Sequence, residues 1–184
     1  MRPKNIVSLD ATIYEFRGQF FVIEESQQGK DLLPTTAHQR PGELRSLAGV
    51  LPVDGPPDLL GRVAKRALQN FDIEPPKHDP CELAAMRKQL VGWLGARGFA
   101  TIVKNSRFVK LSQNVETGEI TLYPSDNHQS NPWYGVRLDK ALTLNSECDE
   151  VALGEAILAA FNLSTYHPDR SDPPALQSQM GRSE

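Results

Sequence analysis

Histidine is the side chain best suited to moving protons near neutral pH, and this chain carries it at His38, His78, His128 and His167. Each falls in a stretch that reads as loop. Asp126 and His128, two positions apart, could share a metal ion and would then lie near the site of a small metal-dependent hydrolase or nuclease. The surrounding Ser125-Asp126-Asn127-His128-Gln129-Ser130-Asn131 reads more simply as a solvated turn, its Asp and Asn side chains bonding their own backbone. Cys81 and Cys148 are the only cysteines. Their spacing matches neither a disulfide framework nor a zinc knuckle, so reduced thiols are expected. Neither cysteine has an adjacent histidine in sequence to act as its base. Glu24-Glu25 and Asp149-Glu150 are adjacent carboxylates. Neighbours on a strand face opposite sides, and near a helix start they complement the positive end of the dipole, so neither pair makes an acid/base dyad. Nucleophile-elbow, P-loop and dinucleotide motifs are missing. The expectation is a protein with no catalytic residues, no metal and no cofactor, which acts by binding and is not an enzyme.

The elements that would carry a binding surface can be read from periodicity. Ala11–Phe16 and Gln19–Ile23, joined by Arg17-Gly18, read as a β-hairpin. Gln27–Arg40 is polar and loop-like, and Pro41–Leu51 is compatible with one short helix. After the break at Val53-Asp54-Gly55-Pro56-Pro57, Leu60, Val63, Ala64, Ala67, Leu68 and Phe71 form one apolar helical stripe. A second helix starts at Asp79-Pro80, with Glu82 placed as in a capping box. It buries Leu83, Met86, Leu90, Trp93 and Leu94. The period then changes to two: Phe99–Val103, Phe108–Ser112 and Glu119–Tyr123 read as strands, with Glu116-Thr117-Gly118 as a turn. Tyr134, Val136 and Leu138 alternate again, and Leu142–Leu144 reads as an extension of that strand. A last helix carries Leu153, Ala156, Ile157, Ala160 and Phe161, capped by Asp149 or Ser146. Strands and helices that do not alternate regularly indicate an α+β fold, a small antiparallel sheet packed with three to four helices. Residues 1–165 are expected to form a single domain and 166–184 a flexible C-terminal tail.

The 184 residues carry a formal charge of −3, which argues against direct nucleic-acid binding. Arg62, Lys65 and Arg66 on one helix face would be the site of a nucleic-acid-binding regulator; a solvated helix face is the plainer account. No apolar run is long enough to span a membrane and no signal sequence is evident, so a cytoplasmic location is expected. The charge is uneven. From Glu116 to Glu155 eight carboxylates face only Arg137 and Lys140, a formal −6. The segment before it is basic, with Arg97, Lys104, Arg107 and Lys110. Either those strands neutralise the acidic segment across the sheet, or the acids form a face complementary to a cationic partner, which they would steer toward them. Nucleases are such partners. Trp133-Tyr134 beside the polar loop has the composition of an interface anchor, and equally that of the edge of an ordinary core.

From Lys104 to Ser164 the order of elements resembles the contact-dependent growth inhibition immunity proteins, the CdiI family. The resemblance rests on Lys104-Asn105-Ser106, the strands at Val109-Lys110-Leu111 and Ile120-Thr121-Leu122-Tyr123-Pro124, and the closing helix Leu153-Gly154-Glu155-Ala156-Ile157-Leu158-Ala159-Ala160-Phe161 behind Asp149-Glu150. It implies a cytoplasmic protein that binds the C-terminal toxin domain of a CdiA effector, in many cases a nuclease, and covers its active site. It carries no catalytic residue across. Charge and loop position alone select Asp126, Trp133, Asp139, Glu147, Asp149 and Glu150 as protein-binding residues.

Overall fold

The computed structural model describes residues 8–25, 44–69, 80–127, 135–145 and 147–170. Strands β1 (Ser8–Phe16) and β2 (Gln19–Glu25) form the expected hairpin. Its two turn residues, Arg17 and Gly18, both have positive φ, 52° and 75°. That is the pattern of a type I′ turn, whose twist matches the strands it joins.

Leu44–Pro52 is strand β3, paired antiparallel with β2, where the sequence is compatible with a helix. The helical pattern there rests on four residues, too few to outweigh the backbone hydrogen bonds offered by the edge of β2. Pro57–Gln69 (α1) and Pro80–Leu94 (α2) are helices as expected; Asp79 lies outside the described residues. Phe99–Asn105 is a third helix, α3, not a strand. Its Thr101, Ile102 and Val103 favour strands by their branching, but a seven-residue helix is too short to show a stripe, and burial of Ile102 against α2 decides its conformation. Strands β4 (Arg107–Asn114) and β5 (Ile120–Pro124) follow, turning through Gly118 at φ 74°. Val136 makes only an isolated bridge to Ser125, and Leu138–Lys140 is a single 3-10 turn, so the strand expected there is reduced to β6 (Leu142–Leu144). Helix α4 (Glu150–Leu163) closes the fold.

The six strands lie in the order β3-β2-β1-β4-β5-β6, all neighbours antiparallel. With the four helices this is the expected α+β fold. Alternation along each strand sends side chains to two different cores. Leu9, Ala11, Ile13, Phe20, Val22, Val109, Leu111, Ile120 and Leu122 meet α1 and α4 on one face. Tyr14, Phe16, Phe21 and Ile23 meet α2 and α3 on the other.

Candidate protein-binding surface

Because Ile120 pairs with Leu144, the β4–β5 turn and the β6–α4 connection lie side by side at one end of the sheet. Glu116, Glu119, Glu147 and Asp149 are exposed there, with Glu155 a turn further along α4. Local hydrogen bonds fix both loops: the Asn114 side-chain oxygen accepts from the backbone N–H of Glu116 and Thr117, and that of Asn145 from Glu147. Val151, 46% exposed, stands among these carboxylates. Asp149 is the helix cap, accepting from the Ala152 N–H at 2.7 Å. Its replacement by alanine is expected to cost about 1 kcal/mol in a denaturant titration. Glu150 holds Arg62 at 2.9 Å, and Arg62 also reaches Asp58 at 3.3 Å. Lys65 donates to the Cys148 carbonyl at 3.1 Å. The basic face of α1 is thus partly engaged with α4 and its N-terminal junction.

Asp126 and Asp139 lie at the opposite end, beside the close of β5. Asp126 is half-buried and accepts from the Thr165 hydroxyl at 3.2 Å, while its N–H bonds the Gly135 carbonyl. Asp139 is exposed, with Lys140 at 4.0 Å. Trp133, His38, His78 and His128 lie outside the described residues, as does the side chain of Cys81. Of the six selected residues the fold therefore gathers Glu147, Asp149 and Glu150 and separates Asp126 and Asp139 from them. Among the described residues no three His, Cys, Asp or Glu side chains come together as a metal site. Burial pushes the Cys148 thiol up, away from the reactive thiolate.

The basic residues of β4 do not turn toward the acidic segment. Register sets β4 against β1, so Arg107 pairs with Glu15, and Lys110 stands 3.6 Å from Asp10 and 3.5 Å from Glu25. Thr12 donates to Glu25, and Ser112 to Asp10 at 2.7 Å. The carboxylates that neutralise the basic strand thus come from the N-terminal hairpin, and the acidic segment keeps its charge at the surface.

A family model for the CDI immunity protein, CdiI, matches residues 11–164. The chain belongs to the CdiI family. The matched span runs from β1 through the cap of α4 at Ser164, nearly the whole described fold. Two solved structures share the architecture of this CdiI protein. One is a protein of unknown function, NMB0488, from Neisseria meningitidis: TM-score 0.61, 16% identity, covering 90% of this chain and 100% of that one. The other comes from the CdiA-CT/CdiI toxin and immunity complex of Yersinia pseudotuberculosis: TM-score 0.66, 15% identity, covering 88% of this chain and 100% of that one. No curated protein matches significantly.

The Asp10–Glu25–Lys110 cluster gives this CdiI protein a pH dependence of known sign. Burial holds the Glu25 carboxyl above the usual carboxylate range, against the pull of Lys110 and of the Thr12 hydroxyl, with the Asp10 charge adding to the rise. The Glu25 charge pushes Lys110 up to about 12, against burial. A carboxyl whose folded value is raised contributes stability below its unfolded value and loses it as pH rises through the folded one. Thermal midpoints should therefore fall between acid and mildly alkaline pH, and Glu25→Gln should flatten that slope. An unchanged slope in the variant would assign it to other groups.

Proposed function

We propose that this CdiI protein binds and neutralises the C-terminal toxin domain of a cognate CdiA effector, inside the cell that makes it, by covering the toxin's active site. The observation that carries the reading is the family match from Ala11 through Ser164. The structural neighbour taken from a toxin and immunity complex supports it, as does the exposed acidic end of the sheet, which would steer a cationic domain such as a nuclease toward it. Among the described residues no helix is long and apolar enough to cross a membrane.

On this reading Glu147, with Glu119 and Glu155 beside it, supplies most of the steering. Asp149 and Glu150 contribute less, since one caps α4 and the other holds Arg62. Co-expression with the toxin encoded beside it should restore growth, and the purified pair should elute as one complex. Glu147→Lys and Glu155→Lys together should slow association severalfold at low salt, with less effect at 0.5 M salt, where screening is strong. Loss of protection by the wild-type protein, with no complex formed, would reject the proposal.

A further inference from the structure

Helix α4 packs on two sides and is exposed on the third. Leu153, Ile157, Ala160 and Phe161 enter the core against the sheet. Gly154 lies against the backbone of α1 at Pro57. The third side carries Val151, Glu155, Ala159 and Asn162, all exposed. Steps of four, four and three residues place them in one stripe along the helix. Ala152 and Leu158 flank the stripe, half-buried.

The stripe has the wrong composition for a face that meets only water. Glu150, Glu155 and Asn162 are the only polar residues of α4. The other two long helices expose polar and charged side chains instead, Arg62, Arg66 and Gln69 in α1 and Arg87, Lys88 and Gln89 in α2. Lysine and glutamate form helices nearly as well as alanine, so helix formation alone does not call for an apolar outer side. A helix apolar nearly all round fits a position that is covered nearly all round. Of the three large apolar side chains exposed among the described residues, Val50, Leu138 and Val151, two stand at the ends of this helix. Val151 begins the stripe. Leu138, 68% exposed, lies beside the far end, where its neighbour Arg137 donates to the Leu163 carbonyl at 3.2 Å.

Charge decides what fits there. Glu147, Asp149 and Glu155 are exposed around Val151, and the stripe itself holds no cation. Arg62 and Lys65 of the adjoining helix are turned to Glu150 and to the Cys148 carbonyl. A second copy of the chain would bring carboxylates against carboxylates on this face, whereas a cationic partner would pair with each of them.

We propose that the outer side of α4 is the ridge on which the toxin domain is held. Its occupant is an apolar groove of the toxin with lysine or arginine at the end that meets Val151. The assignment rests on the immunity reading and adds to it the element that grips. The carboxylates set the rate of encounter, and the stripe from Val151 to Ala159 sets the rate of release.

The test measures association and dissociation rates with the purified toxin domain encoded beside this chain, for wild type, Ala159→Gln, Val151→Ser and Ala85→Gln. Ala159 and Ala85 are both exposed helical alanines, and Ala85 belongs to α2 on the opposite face of the sheet. Glutamine is a good helix former, so both alanine variants should keep the wild-type thermal midpoint. Ala159→Gln should weaken binding about tenfold or more, through faster dissociation, and by the same factor at low and high salt. Val151→Ser should speed dissociation in the same way, and Ala85→Gln should bind as wild type does. Wild-type dissociation from both Ala159→Gln and Val151→Ser overturns the assignment while leaving the immunity reading intact. Equal losses in Ala159→Gln and Ala85→Gln overturn it as well, since the effect would not belong to α4. A wild-type chain that neither binds nor protects overturns both. A wild-type dimer that Ala159→Gln separates, with toxin binding unaltered, gives the face to a second copy of this chain and overturns the proposal.

Discussion

Gly154→Ala is expected to destabilise the protein by about 2 kcal/mol or more, the reverse of what alanine does in most helices. In an unobstructed helix interior, alanine gains roughly 0.5–1 kcal/mol over glycine by restricting the unfolded chain. Gly154 has no such room. A Cβ at this position would collide with the Pro57 carbonyl oxygen, and one at Gly61 with the Glu150 carbonyl oxygen. The two contacts are reciprocal: α1 and α4 run antiparallel and touch backbone to backbone, each through the other's glycine. Carbonyl groups cannot swing aside as a side-chain tip can, so the helices must part. That disturbs Leu60, Ala64, Leu153 and Ile157, all in the same core. Overpacking of this kind costs about 1–3 kcal/mol, and more where backbone must move. Gly92 in α2 is the control, since a Cβ there meets nothing within 4 Å. Gly92→Ala should be neutral or stabilising by up to about 1 kcal/mol. Urea midpoints that move in opposite directions for the two substitutions would establish the close crossing; midpoints that move together would refute it.

That crossing also explains why the Leu153-Gly154 helix is the most recognisable part of the sequence: its glycine is a packing requirement, visible as a residue type out of place in an otherwise apolar stripe. Helices α1, α2 and α4 are legible because each is long enough for the 3.6-residue period to repeat. The β1–β2 hairpin is legible because its turn carries glycine. Leu44–Pro52 and Phe99–Asn105 are misread for one reason: short segments take their state from what they dock against, β2 in one case and α2 in the other. At the candidate surface, the exposure of Glu147 and Asp149 follows from their place between β6 and α4. The Asp10–Glu25–Lys110 cluster is not legible in the same way, since its members are brought together only by strand register across a long sequence separation. A signal exists nonetheless. Asp10 and Thr12 interrupt Leu9, Ala11 and Ile13 at every second position, and Lys110 and Ser112 interrupt Val109 and Leu111 likewise. Polar residues of one parity in two otherwise apolar strands mark a shared polar patch on a buried sheet face.

Arg107→Met is expected to cost about 3–5 kcal/mol, the range for removing one partner of a buried ion pair. The Arg107 and Glu15 side chains are 19% and 14% exposed, so little solvent replaces the lost partner. The guanidinium also donates to the Phe161 carbonyl at 2.6 Å, at the end of α4 where the helix dipole is negative. It lies 5.5 Å from the centroid of the Phe161 ring and 4.7 Å from that of Tyr166. Tyr166 in turn donates to Glu15 at 2.6 Å, and its hydroxyl is pushed up to about 12, by burial first and then by the bond to Glu15. One side chain therefore joins β1, β4, the end of α4 and the segment after it. Methionine keeps the volume and removes every polar contact, which leaves Glu15 with a single donor. Adding Glu15→Gln to Arg107→Met should recover part of the loss, because the stranded charge is gone; the two changes should couple strongly in a double-mutant cycle. Tyr166→Phe alone should cost only about 1 kcal/mol, the usual value for one hydrogen bond. A loss below about 1 kcal/mol for Arg107→Met would reduce this contact to the rank of an exposed ion pair, and the end of α4 would then be held by its apolar face alone.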